Sequence, residues 1–195
     1  MVNFRCMIDI LITGFGPFAD VAVNPSETLV TKLGAAGYTT LILPTEYERA
    51  PQILFDTLDR LCPQALLMFG YAQSAHHLRI ERRALNYDRA EIPDNTGKIR
   101  RGIIQSDRAN VLDARINMPA IIEELRCANI SFDLSDNPGG FVCNHLYYLA
   151  LARKTSEPRQ ILFAHIPDTI TDDTLHAALA LADIMVLKQN QAASV

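Results

Sequence analysis

The stretch Ile8-Asp9-Ile10-Leu11-Ile12-Thr13-Gly14-Phe15-Gly16-Pro17-Phe18 decides the fold. Residues 8–12 are apolar apart from Asp9 and read as a buried strand, and the glycines and proline that follow turn the chain into a loop. Next comes a helix start, Asn24-Pro25-Ser26-Glu27. Asn24 suits the N-cap, Pro25 the first helical position, and Glu27 completes a capping box. Gly37 ends that helix, and residues 39–43 form a second strand stopped by Pro44.

The same alternation continues to the end of the chain. Helices are expected at 51–61, 119–127 and 141–154, and strands at 65–69, 78–85, 130–134 and 160–164. Thr171 caps a final helix running to about residue 188, with 189–195 fraying. Residues 86–110, built around Pro93-Asp94-Asn95-Thr96-Gly97, read as a long irregular loop. Strands alternating with helices predict an α/β fold. It is a three-layer α/β/α open sandwich on a mostly parallel, twisted central sheet, with functional groups gathered at the carboxyl ends of the strands.

Bulk properties narrow the function. At 195 residues, 49% hydrophobic and 21% charged, the chain reads as one globular domain over 1–195. A net charge of -4 offers no basic surface for nucleic acid or acidic membranes. No long uncharged apolar run suggests a membrane span, and residues 1–6 lack a signal-peptide layout. Cys6, Cys62, Cys127 and Cys143 are scattered without a Cys-x-x-Cys pair. Neither a zinc nor a disulfide framework is therefore expected, and a reducing cytoplasm is the default. His76 and His77 are adjacent on a strand-like run and so point to opposite faces, which does not suit one shared metal ion.

The chemistry-bearing run is Asn137-Pro138-Gly139-Gly140-Phe141-Val142-Cys143-Asn144-His145. Its turn delivers Cys143 into the first turn of a helix, where free N–H groups and the helix dipole favour a thiolate. His165 ends the apolar run 161–164, at the same edge of the sheet. A cysteine at a helix start beside a strand-end histidine is the raw material of a cysteine hydrolase. Glu81, within Arg79-Ile80-Glu81-Arg82-Arg83, reads on its own as a surface ion-pair residue, and His145 as a helix-surface or subunit-contact residue.

Four segments, in order, resemble the pyroglutamyl peptidase I family of cysteine peptidases. They are Thr13–Phe18 with Asn24-Pro25-Ser26; Ile80-Glu81-Arg82 with Asn86 and Ile92-Pro93-Asp94-Asn95-Thr96-Gly97; Phe141-Val142-Cys143-Asn144-His145 with Tyr148; and Phe163-Ala164-His165-Ile166-Pro167. The resemblance implies a Glu81–Cys143–His165 triad and an apolar lactam pocket formed by Phe15, Phe18, Ile92, Phe141 and Val142. Tyr71 stands where bacterial members carry a pocket glutamine, and Glu91 where they commonly carry an arginine. The implied activity is hydrolysis of the amide bond after an N-terminal pyroglutamyl residue, through a thioester and without metal or cofactor. The implied substrates are pyroglutamylated peptides, and the implied assembly is a homotetramer. Two rivals stay open: a related cysteine amidohydrolase for another small lactam or acyl amide, and a catalytically silent binding protein on the same scaffold.

Overall fold

The computed structural model describes residues 8–154, 158 and 160–192. The expectations for residues 1–6, Cys6 included, and for 193–195 lie outside the described residues. In chain order the elements are β1 (Ile10–Phe15), α1 (Pro25–Ala35), β2 (Thr39–Leu43), α2 (Arg49–Leu61), β3 (Ala65–Tyr71), β4 (Leu78–Glu81), β5 (Arg83–Leu85), β6 (Tyr87–Arg89), β7 (Arg101–Ile103), β8 (Val111–Asp113), α3 (Met118–Cys127), β9 (Phe132–Ser135), α4 (Val142–Ala152), β10 (Gln160–Ile166) and α5 (Asp172–Ala192).

The main sheet has the order β2-β1-β3-β10-β4-β9. The first four strands run parallel, β4 lies antiparallel to β10, and β9 runs parallel to β4. The sheet is therefore mixed but mostly parallel, as βαβ connections require. Side chains alternate between its faces and so build two cores. Ile10, Ile12, Leu67, Ile80, Leu162 and Ala164 pack with α1, α3 and α5. Leu11, Phe15, Leu66, Met68, Ile161 and Phe163 pack with α2 and α4. This is the expected three-layer sandwich.

Local chemistry sets the element ends. The Asn24 side chain accepts the Ser26 N–H at 3.0 Å, capping α1. Gly37 follows α1 with φ +103° and donates to the Gly34 carbonyl, a turn that a side chain would strain.

Several boundaries differ from the sequence reading, each for a tertiary reason. β1 continues through Thr13 and Gly14 because both pair with β2, so half of the expected loop is strand. The run 78–85 breaks at Arg82, where the chain leaves the main sheet and β5 pairs with β8. Residues 86–110 are not irregular throughout, because β6 and β7 pair antiparallel within them. Their turn is organised by buried Asp94, whose carboxylate accepts the N–H groups of Tyr47, Thr96 and Lys98. Three-residue strands bearing Arg89 and Arg101 carry too short an apolar period to be seen in sequence.

Candidate active site

Strand periodicity and sheet order assemble the site. Leu78 and Ile80 face the α1/α3/α5 core, so Arg79 and Glu81 face α4. In β10, Ile161 and Phe163 face α4, and His165 continues that row. The antiparallel pairing of β4 with β10 sets His165 opposite Arg79, and Phe163 opposite Glu81. The imidazole reaches the carboxylate diagonally: His165 Nδ1 lies 2.7 Å from Glu81 Oε1, with both side chains buried. Nδ1 carries the hydrogen in that bond, which leaves Nε2 free to take a proton.

Cys143 stands in the first turn of α4 and is partly exposed. Its Sγ lies over Gly70, the residue of β3 paired with His165; a Cβ added at Gly70 would stand 2.9 Å from Sγ and 2.7 Å from the Phe163 ring. The bare backbone of Gly70 is thus what lets the sulfur settle beside the histidine strand.

Electrostatics correct the expectation of a resting thiolate. Burial pushes the Cys143 thiol up to about 12; the negative charge of Glu81 adds to this, and the helix-start backbone N–H opposes it only in part. Burial also holds His165 below its ordinary 6.5, against the pull of Glu81, so its imidazole is neutral at neutral pH. Burial alone would raise the Glu81 carboxyl, but the hydrogen bond from His165, the charge His165 carries once acid protonates it, and the charge of Arg79 outweigh it and keep the group low. The resting arrangement is therefore a thiol beside a neutral base oriented by a carboxylate.

A cavity of about 320 Å³ opens over Cys143 and His165. Phe15, Phe18, Tyr71 and Phe141 supply aromatic walls; Asn24, Thr45, Ser74, Arg79 and Asn137 supply polar ones. The Phe15–Phe18 wall is pinned from behind. Ser26 Oγ accepts the Phe15 N–H at 2.9 Å, and Asn24 Nδ2 and Thr45 Oγ1 donate to the Gly16 carbonyl. Phe18 and Phe141 rings meet at 5.9 Å, and Tyr47 packs edge-on against Phe141 at 5.8 Å.

Two residues of the expected pocket lie elsewhere. Val142 is fully buried in the core beneath the cavity. Ile92 and Glu91 line an adjoining groove with Leu85, Tyr87 and Arg89, and that groove shares Asn137, Gly139, Gly140 and Phe141 with the cavity. His145 is not at the surface: its ring bonds the buried Asp88 carboxylate at 2.9 Å and 3.1 Å, and Arg100 completes the cluster at 3.4 Å. The adjacent Asn144 clasps β5 and β6 through bonds to Leu85 N, Leu85 O and Tyr87 O, each 2.9 Å. The pair after Cys143 therefore anchors α4. Thr45 and Arg79 were not singled out in the sequence; for Arg79 the signal was there, because residues two apart on a strand share a face. Among the described residues no group of three or more His, Cys, Asp or Glu side chains is arranged to hold a metal ion.

The architecture has counterparts among known proteins. The pyrrolidone-carboxylate peptidase of Gloeobacter violaceus is 36% identical over 165 residues, covering 81% of this chain and 80% of its own. That of Streptococcus suis is 32% identical over 187 residues, covering 90% and 86%. The crystal structure of pyroglutamyl peptidase I from Bacillus amyloliquefaciens matches with a TM-score of 0.84 at 26% identity, covering 92% of this chain and 95% of that one. A model of the pyroglutamyl peptidase family matches residues 8–192, which takes in β1, the Glu81 strand, the Cys143 helix and the His165 strand together. With its sheet order, its cysteine at a helix start and this match across nearly its whole length, the chain belongs to the pyroglutamyl peptidase family.

Proposed function

We propose that the protein is a cysteine exopeptidase that hydrolyses the amide bond after an N-terminal pyroglutamyl residue. The observation that carries the reading is the charge of the cavity wall: among the described residues no carboxylate lines it, and the one formal charge is the Arg79 guanidinium. A free N-terminal ammonium would find no counter-ion there, whereas a neutral lactam fits between aromatic faces.

In the reaction, His165 Nε2 takes the Cys143 thiol proton as sulfur attacks the acyl carbon. The N–H of Cys143, in the first turn of α4, donates to the oxyanion. The imidazolium, steadied by Glu81, gives its proton to the leaving amine, and a thioester remains. Water, deprotonated by the same imidazole, then releases pyroglutamate and restores the thiol. Phe15, Phe18, Tyr71 and Phe141 hold the ring, with Val142 backing Phe141 and Ile92 flanking it from the adjoining groove.

The test is release of a fluorescent amine from a pyroglutamyl amide under reducing conditions. Turnover that vanishes in Cys143→Ala, with no cleavage of the matching prolyl amide, supports the reading. Cleavage of other acyl amides but not the pyroglutamyl one would transfer the site to the amidohydrolase rival. In the same assay Gly70→Ala is expected to lower kcat/KM by about 10²-fold or more, because displacing the sulfur by even an ångström spoils the attack geometry. The acid limb of kcat/KM is expected below pH 6.5, because burial lowers the His165 value from 6.5; a limb above 6.5 would contradict a neutral resting imidazole.

The chain works as a single domain in a reducing compartment, with the cytoplasm as its proposed location, and assembles as a homotetramer. The exposed apolar side chains of Tyr87, Ile92, Ile99, Ile103 and Val111 support subunit contact. Among the described residues no helix is long and apolar enough to cross a membrane.

A further inference from the structure

We propose that Arg79 is a positioning residue of this reaction, one that shares Glu81 Oε1 with His165 and thereby sets how far the pH can fall before the base is lost. Glu81 Oε1 accepts two hydrogen bonds, from His165 Nδ1 at 2.7 Å and from Arg79 Nε at 3.1 Å. The guanidinium is fixed at its other end, where Nη1 donates to Ser74 Oγ at 2.9 Å. Arg79 is also the cross-strand partner of His165 and a wall residue of the cavity. One carboxylate oxygen is thus shared between a permanent cation and the base it orients.

The physical consequence has a definite sign. A fixed positive charge beside the carboxylate takes up part of the field that would otherwise stabilise an imidazolium, so the neutral base persists to lower pH. The other groups facing His165 do not replace it. From β4 there is Glu81 itself. From α4 come the Cys143 thiol and the Tyr147 phenol, both held protonated by burial, with Tyr147 donating to the Glu81 carbonyl. β3 brings Tyr71 to the cavity, and β9 brings Asp133, exposed and in register with Arg79.

The inference rests on the catalytic roles proposed for Glu81 and His165. Its test compares native protein, Arg79→Gln and Arg79→Lys in the pH dependence of kcat/KM, and in an NMR titration of the His165 ring in a Cys143→Ala background. Arg79→Gln is expected to move both the acid limb and the imidazole titration upward by about one pH unit, as loss of an adjacent charge does, while Arg79→Lys restores most of the native profile. An unmoved limb and titration, with only KM raised, would overturn the proposal and make Arg79 a substrate contact. An unmoved profile with lowered stability alone would make it structural. If Arg79→Gln does not fold, Ser74→Ala, which only frees the far end of the guanidinium, should show a smaller upward move, and no move would again overturn the proposal. The NMR arm decides the matter even if the native protein fails to cleave pyroglutamyl amides, a failure that would strike the proposed function and not this one.

Discussion

Glu81→Gln is expected to lower kcat/KM by about 10³- to 10⁴-fold while leaving the protein folded, as neutralising the acid of a triad does elsewhere. The side chain is wholly buried, and Oε1 takes the bonds from His165 and Arg79. A glutamine fits the same space and can keep one acceptor, but it cannot stabilise the imidazolium that forms when the thiol gives up its proton. It also strips Arg79 of its counter-charge. Because Glu81 raises the His165 value, its loss should move the imidazole titration further down, opposite in sign to the loss of Arg79.

The sign for stability follows from the same groups. Glu81 is held below its ordinary 4.5, so it stabilises the folded state above that pH, and this is lost as pH falls through the lowered value. His165 is held below 6.5, so the unfolded chain takes up a proton below 6.5 that the folded site refuses, and stability falls on acidification there as well. Urea melts at stepped pH values should show native stability declining from about pH 6.5 downward, and Glu81→Gln should remove the lower part of that decline.

Asp88→Ala is expected to be the most damaging substitution for stability, at about 3–5 kcal/mol, since breaking a buried pair leaves its partner unmatched. In a chain of this length that is a fall in Tm of about 6–20 °C. Asp88 is 2% and His145 3% exposed, and Arg100 leans on the same carboxylate while its guanidinium covers the Tyr47 ring at 5.7 Å. Tyr47 packs edge-on against His145 at 5.1 Å and against Phe141, so the cluster backs the aromatic wall of the cavity. A raised KM should therefore accompany the lower Tm. The exposed Arg82–Asp136 pair is the control: its loss should cost under about 1 kcal/mol. Thermal melts of the two variants side by side read the difference.

The contrast between Asp88 and Glu81 shows how far residues speak for themselves. Glu81 sits among arginines, and local composition alone makes it a surface charge; only the order of motifs along the chain marked it as part of a site. Asp88 sits in a segment with no visible period, and nothing local ties it to a histidine 57 positions on. Cys143 was legible because a turn followed by an apolar helical period fixes its place in a first helical turn. Its protonation was not, because the helix-start effect is local and readable, whereas the burial and the Glu81 charge that outweigh it come from strands distant in sequence.

By itself the sequence determined the alternation of strands and helices, the caps at Asn24 and Thr171, the two-faced strands that require helices on both sides, and the chemical types gathered near strand ends. These depend on periodicity and backbone preference, which act over a few residues. The tertiary structure alone decided the antiparallel insertion of β4, which sets Arg79 opposite His165, the bare Gly70 backbone under the sulfur, the placing of Ile92 in the groove beside the Cys143 cavity, and the buried clasp of Asn144 and His145 on β5 and β6. Each of these is a pairing between segments far apart in the chain, where register and burial, set by the packing of the whole sheet, override what any one segment prefers.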